Sequence, residues 1–535
     1  MTRSYRRLAA AAVAAAILGS MVSSNDPARA DEIAGPSVAR ISLSDGDVAV
    51  QRGDADDLVS ASINAPLLAG DTLSTGDGSR AEIQLDGRSM VRIAQDAEVQ
   101  IVNLDPAHRE MELAGGTVDE RTFSGAVGPS VVDTPSVSVR SDGTASVRIT
   151  VTDTGITEVT VRVGHASVVT SQDSIGLQPG TTLVASGPSA SPTISYAATL
   201  GADDFDQFCR SRDDAVLATL NLPYVNPSIG YADFTLYGRW VVDPTYGEVW
   251  VPGVTVSGWA PYRYGRWVWE EGYGWCWVAD EPWGWAPYHY GRWFYSGQYG
   301  WAWYPPPAVA VRPLWSPALV GFVTFGSVSI GVGFGSIGWV PLAPYEVYHP
   351  WYGWNGGRFG ATVVNNVTVT NVSITRVYQN AGRTNAITAV ATQNFVAGRF
   401  GQQQPVPLSQ LSNVQAVRGT LPVTPSRASL AFGRRPVSAQ LTSRTTSAFA
   451  QRPFAGNATA SITRTPFEQQ RSVLKARFGD ANASPNYRAP AGASNAAPQQ
   501  NVAPQQNAAP QQSAATPRPA RHPAHKHPRP KPTPR

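Results

Sequence analysis

The sequence predicts a mainly-β chain: an antiparallel β-sandwich-type domain, then aromatic β-hairpin repeats, then a disordered C-terminal tail. Three observations carry this. Segments such as Thr157-Glu158-Val159-Thr160-Val161-Arg162-Val163 and Val147-Arg148-Ile149-Thr150-Val151 alternate apolar and polar residues strictly, the period of a strand with one buried face. All 16 Trp and 13 of the 19 Tyr lie between Tyr237 and Trp354, where Gly, Pro and paired rings favour hairpins over helices. Further on, the apolar content falls and Arg, Ser, Gln and Pro take over, a composition that cannot bury a core.

Residues 1–30 read as an export leader. Arg3, Arg6 and Arg7 form a basic start, Leu8 to Leu18 is unbroken apolar sequence, and Ala28-Arg29-Ala30 has the small-x-small form of a cleavage site. The apolar run is shorter than the roughly 20 residues a membrane-spanning helix needs, so a periplasmic or secreted chain starting at Asp31 is expected. The two cysteines, Cys209 and Cys276, permit one disulfide or two separate thiols in an exported chain, and both remain open.

From residue 31 to 196 turn residues punctuate the strands. Asp86-Gly87 separates Ala81–Leu85 from Arg88–Ile93, and Asp142-Gly143 separates Val137–Arg140 from Ala145–Val151; Asp-Gly tolerates the positive φ of a tight hairpin turn. Gly46-Asp47-Val48-Ala49-Val50, Leu68-Ala69-Gly70-Asp71-Thr72-Leu73-Ser74-Thr75, Ser79 to Arg88, Asp133-Thr134-Pro135 and the Gly180 turn together resemble the FecR-type periplasmic domain. The resemblance implies a sandwich-like envelope module for sensing or scaffolding. Residues 197–230 are expected to be a connector. Within 202–220, Phe205, Phe208, Cys209, Val216, Leu217 and Leu220 fall near i, i+3, i+4 spacing, with Asp203, Asp204, Arg212, Asp213 and Asp214 largely elsewhere, which predicts a helix ended by Pro223 and Pro227.

Residues 231–400 hold the repeats. Tyr237-Gly238-Arg239-Trp240 recurs as Tyr264-Gly265-Arg266-Trp267 and Tyr290-Gly291-Arg292-Trp293, at intervals of 27 and 26 residues, and ten residues after each Trp stands another: Trp250, Trp277 and Trp303. Trp259-Ala260-Pro261-Tyr262 likewise recurs as Trp285-Ala286-Pro287-Tyr288. A fixed period means stacked copies of one supersecondary unit. Each unit has too few aliphatic side chains for its own core, so most rings are expected to stack between neighbours, burying about 150–250 Å² apiece. A subset left open would form platforms for sugar rings, with Trp240, Trp267, Trp293 and their neighbours Arg239, Arg266 and Arg292 as candidate ligand contacts. Gly230-Tyr231, the three Tyr-Gly-Arg-Trp copies, Trp250-Val251-Pro252, Trp283-Gly284-Trp285 and Gly338-Trp339-Val340-Pro341-Leu342 also resemble an uncharacterised aromatic-repeat domain that often follows a FecR-type domain in bacterial envelope proteins. That resemblance implies an exported, non-catalytic chain.

Enzyme classes fall away by motif. No Lys follows a Gly, no His precedes a Glu, no C-x-x-C is possible and G-x-S-x-G is missing, which excludes phosphate-binding loops, H-E-x-x-H zinc sites and nucleophile elbows of those forms. Gly333-Phe334-Gly335-Ser336-Ile337-Gly338 fits a dinucleotide fingerprint, but Pro341 and Pro344 forbid the helix it requires, leaving a Gly-rich strand. A glycosidase would draw on Asp243, Glu248, Glu270, Glu271, Asp280 and Glu281 and needs two carboxylates about 5–10 Å apart; surface and turn roles are the simpler expectation. No cofactor or metal is implied.

Charge is polarised along the chain. Residues 31–220 carry 28 acidic and 12 basic side chains, 221–354 carry 8 and 5, and 355–535 carry 2 and 21, an argument about partners rather than fold. The tail, 401–535, has Ala-Pro-Gln-Gln at 497, 503 and 509 and ends in an Arg/His/Pro run; it is expected to be disordered apart from a brief helix over Phe467–Phe478, and to touch anionic wall or membrane. No specific nucleic-acid partner is implied. The expectation is a non-catalytic exported protein that binds or scaffolds at the cell envelope, with peptidoglycan or another anionic envelope polymer as partner. The alternative is a FecR-like signalling component acting with a separate membrane regulator.

Overall fold

The computed structural model describes residues 37–478 except 221, 223–224, 227–228, 255, 309–312, 326–334, 353–367, 371, 400, 402, 445–452, 457–461 and 463. The leader expected over 1–30, the chain after Phe478 and the first two residues of the Gly-rich strand expected over 333–338 lie outside the described residues.

Strict alternation gives the first domain its sheet. Fifteen strands between Ala39 and Ala197 form one hydrogen-bonded network, antiparallel except where Ser130–Asp133 runs parallel to Arg109–Glu112. The register sets Val147 opposite Val161 and Ile149 opposite Val159, all four buried, so the apolar face of each alternating run meets that of its neighbour. Asp86-Gly87 makes the expected hairpin, with Ala81 opposite Ile93. Asp142-Gly143 does not. Ser138–Val151 is one strand, and the residues on both sides of Gly143 pair with the same partner strand, Ser141 with Ala166 and Ala145 with Gly164. The extra residues form a bulge in which Gly143 and Gly164 both take positive φ, so the dipeptide serves a kink rather than a reversal.

The connector helix spans Asp204–Leu220. Phe205, Cys209 and Val216 are buried as expected, but Leu217 is exposed, and charged residues, among them Arg212 and Asp213 expected off the apolar face, carry much of the docking. Asp206 binds Arg148 and Arg162, Asp213 binds Arg92 and Arg121, and Arg212 binds Glu82. The helix rests on the polar face of the first-domain sheet, so its seam is ionic.

The repeats fold as three two-stranded hairpins: Gly238–Asp243 with Gly247–Pro252, Gly265–Glu270 with Gly274–Ala279, and Arg292–Ser296 with Gly300–Tyr304. The ten-residue spacing is their register, since Trp240 pairs with Trp250, Trp267 with Trp277 and Trp293 with Trp303. They do not stack in sequence order. A pairing of Trp250 with Trp303 joins the first and third hairpins into a four-stranded sheet, and the second forms a sheet of its own. Both of its strands are buried nearly throughout.

A further six-stranded sheet orders Thr368–Thr370, Val414–Arg418, Val320–Phe325, Ser336–Pro341, Thr388–Ala391 and Gln404–Pro405. Val367, Val369, Val372 and Ile374 alternate in the sequence; residues 368–370 belong to this sheet, whereas Ile374–Val377 is a short helix. The described residues between 403 and 478 do not form the unpacked tail expected from residue 401. Val414–Arg418 pairs with Val320–Phe325, Phe432 and Leu430 are buried, and the helix over Phe467–Phe478 buries Phe467, Gln470 and Leu474. Sparse apolar anchors suffice there because the grooves they enter are supplied by the two preceding domains.

Candidate functional site

Each Tyr-Gly-Arg-Trp copy places a glycine under an indole. A Cβ at Gly265 would stand 2.6 Å from the Trp277 ring and one at Gly291 2.7 Å from Trp303, and one at Gly238 would press as closely on Trp250. The motif therefore needs Gly because the Trp ten residues after its own packs onto the backbone of the opposite strand. Several indole N–H groups are satisfied by the chain: Trp250 donates to the Phe234 carbonyl at 3.2 Å, Trp303 to Tyr290 at 2.8 Å and Trp293 to Pro287 at 2.9 Å.

This arrangement removes most of the expected ligand contacts from the surface. Trp267 lies in the core against Phe322, Trp339, Trp351 and Phe395, and Trp293 is equally buried. Arg266 is buried too, bonded to Ser62 Oγ at 2.8 Å, and burial pulls its guanidinium down to about 10. Arg292 donates to the carbonyls of Gly291 and Glu346, which makes it a fastener. Trp240 is half-buried against Tyr231, Phe234 and Trp303, leaving Arg239 exposed. The physical reason is area: a large ring on the inner face gains about 25 cal/mol per Å² by leaving water.

The opposite face of the four-stranded sheet carries a second, smaller cluster, in which Val249, Val251, Phe294 and Ala302 are buried under half-buried Val241, Tyr246, Tyr299 and Tyr304. Alternation puts Arg239, Val241, Val249, Val251, Phe294, Ala302 and Tyr304 there, and the hairpin turns add Tyr246 and Tyr299. Tyr246 packs on Phe294 with ring centroids 4.4 Å apart and on Tyr304 at 5.6 Å, and Tyr345 adds a ring 5.9 Å from Tyr304. Tyr345 is 66% exposed and has φ +67°, a conformation bulky residues rarely adopt. Its loop is held there. Glu346 accepts from the N–H groups of Ala343 at 2.8 Å and Gln379 at 2.6 Å, Trp293 N–H donates to the Leu342 carbonyl, and Arg292 reaches the Glu346 carbonyl. Tyr262 follows the same Ala-Pro pair at φ +60°, but its ring is buried and its hydroxyl donates to the Tyr288 carbonyl. The same Ala-Pro-Tyr backbone thus buries the ring at Tyr262 and presents it to solvent at Tyr345.

The polar edge of this face is preorganised. Asp243 accepts from the N–H groups of Thr245 and Tyr246 and from the Tyr299 hydroxyl, and these bonds outweigh its slight burial and keep its carboxyl below the usual range. Burial and the bond to Asp243 push Tyr299 up to about 12; burial and the bond to Tyr345 do the same for Tyr304. Both phenols are therefore neutral near pH 7. The sequence carried an unused signal for the turns: a Tyr-Gly pair stands six residues after each motif Trp, at Tyr246, Tyr273 and Tyr299. The middle copy, Tyr273, is buried against Trp315 and Tyr352.

The carboxylates among the rings divide by burial. Glu270 is buried against Arg52 at 2.5 Å. Glu281 accepts from Trp259 Nε1 and the Tyr288 hydroxyl at 3.1 Å each, and burial pushes its carboxyl up to about 8. Cys209 and Cys276 are both free and buried, correcting the candidate disulfide: one lies on the connector helix, the other within the second hairpin opposite Val268. Burial raises both thiols far above their ordinary value. Among the described residues no cluster of His, Cys, Asp and Glu could hold a metal ion.

Family models match two parts of the chain: FecR protein over residues 71–167, and a family of unknown function (DUF6600) over 231–346. The chain carries a FecR domain. The second match spans the three hairpins and the Tyr345 loop. Among the described residues no helix is long and apolar enough to cross a membrane. Two crystal structures of a protein described as an anti-sigma factor from Parabacteroides distasonis are similar to the chain at 16% and 15% identity, each over 29% of this chain and over 68% and 67% of that one, with a TM-score of 0.22. A search of curated proteins gives no significant match.

Proposed function

We propose that this FecR-domain chain is a non-catalytic binding or scaffolding component of the cell envelope, and that its hairpin domain holds a glycan such as peptidoglycan on the outer tyrosine face. The supporting observation is the sorting of the rings. The repeat indoles go inward, while Tyr246, Tyr299, Tyr304 and Tyr345 collect on one outer face with Arg239 on the same side. Phenol rings offer flat apolar surface with a hydroxyl at the rim, suited to stacking on a sugar and bonding its hydroxyls, and an exposed guanidinium can meet a polymer carboxylate. The test is retention of the full-length chain on purified peptidoglycan. Tyr246→Ala with Tyr345→Ala is expected to cut retention at least tenfold; retention unchanged in that variant removes the tyrosine face from the proposal.

A second reading is favoured by the FecR match itself: the chain relays an envelope state to a separate membrane regulator. Photo-crosslinking from Tyr196, exposed on the strand Thr193–Ala197 at the edge of the first-domain sheet, would capture an integral membrane protein in that case.

A further inference from the structure

The described chain at 464–478 is seated on the body of the protein in the manner of a bound peptide. It adds no strand to any sheet. The Arg464 side chain, only 7% exposed, enters a slot walled by Gly53 and Gly70, whose backbones leave room for its stem: a Cβ on Gly53 would stand 2.9 Å from Arg464 Cδ, and Gly70 has φ +96°. Four carboxylates from two domains receive the guanidinium. Asp71 lies at 2.5 Å and Asp54 at 3.4 Å on the FecR side, Glu271 at 3.1 Å and Glu270 at 3.7 Å on the second hairpin. Backbone bonds follow, from Thr465 N–H to Glu271 at 2.7 Å and from Phe467 N–H to the Asp54 carbonyl at 2.7 Å.

After Pro466 the helix buries one narrow face: Phe467, Gln470 and Leu474, at i, i+3 and i+7, while most of the rest is open to solvent. Gln470 accepts from Trp269 Nε1 at 2.9 Å and donates to Asp54 at 3.3 Å, so it too reads both domains. This is the anchor pattern of a helix-in-groove ligand led by an extended arginine. The slot is also preformed: Asp71 accepts from the N–H groups of Leu68 and Gly53 at 2.9 Å each, and Arg52 bridges Asp54 and Glu270 from behind.

We propose that this slot is a receptor for an arginine-led peptide, filled in cis by the chain's own residues 464–478, and that a partner segment of the same chemistry, an arginine followed within a few residues by an amphipathic helical turn, exchanges with it. Binding in trans would then release the basic tail, with the incoming arginine taking over the four carboxylates that join the FecR domain to the second hairpin. This goes beyond the tyrosine face, which lies on a different sheet.

Exchange in full-length protein tests it. A protease site placed within 446–451 leaves all the contacts above in place. After cleavage the C-terminal fragment is expected to co-elute with the body, and a labelled synthetic peptide of residues 462–478 to displace it, whereas the same peptide with Arg464→Ala competes at least tenfold less well. Glu271→Gln in the body, a partly exposed position, is expected to weaken capture of the wild-type peptide several-fold while leaving the thermal midpoint near that of wild type. Equal competition by both peptides, a fragment that no peptide displaces, or a fragment lost on cleavage with no rebinding would each overturn the proposal.

Discussion

The FecR domain and the hairpin domain solve the same problem, burying one face of short strands, with different side chains. The first links fifteen strands into one ladder, so each strand shares its neighbours' aliphatic side chains, and Val and Ile suffice. The second is cut into hairpins of five or six residues per strand, with only two or three inward positions each. Aliphatic residues at so few positions would bury too little area, and indole pairs supply it. Core chemistry thus follows strand connectivity: where the ladder is cut into hairpins joined by a single residue pairing or by none, ring size takes over.

Substitutions can break this comparison. The largest effect is expected at Trp277, fully buried against Trp267, Tyr262 and Trp339: Trp277→Ala should lower unfolding free energy by about 3–5 kcal/mol, against about 0.5–1.5 for Ile149→Val in the ladder, read by denaturant titration. Similar losses in the two domains would sink the contrast. Arg52→Ala attacks the joint, leaving buried Asp54 and Glu270 only their longer contacts to Arg464, and should cost about 3–5 kcal/mol, with the domains unfolding in separate transitions by calorimetry.

Next comes pH. Glu281 holds its proton in the folded state up to about 8 but in the unfolded chain only to 4.5. The folded state therefore binds more protons in that window, so the contribution is complete below 4.5 and is lost as pH rises through about 8. Stability should fall by something of order 1–3 kcal/mol between pH 5 and pH 8, and Glu281→Gln should flatten that fall. Gly238→Ala, which forces a methyl against Trp250, should cost about 1–3 kcal/mol; a neutral result would deny that the indole needs the glycine. The smallest effect belongs to Tyr345→Gly, which relieves a left-handed backbone at an exposed ring and should leave stability within about 1 kcal/mol of wild type while weakening peptidoglycan retention.

Local rules made much of this legible. Alternation located the strands around Val147–Val151 and Thr157–Val163, and the ten-residue Trp offset was the hairpin register in plain sight. What the sequence hid were choices between equivalent neighbours. Nothing in three near-identical motifs says that the first and third hairpins pair through Trp250 and Trp303 while the second is enclosed, yet that decides which Tyr-Gly turn faces water. Asp142-Gly143 satisfies a turn and a bulge equally well, and only the continuous partner strand settles it. Arg464 was hidden for a different reason: its four carboxylates come from positions 54, 71, 270 and 271, so composition near residue 464 contains no trace of them.

The pairing of the outer two hairpins around the middle one limits how the array can change. In an open-ended solenoid a unit can be inserted or lost because each copy touches only its neighbours. Here the first and last copies meet edge to edge, so the number three is built into the closure. Duplicating a 26-residue unit would leave a second copy, besides the present middle one, outside that pairing, and a variant of this architecture with two or four copies would have to be a differently assembled molecule.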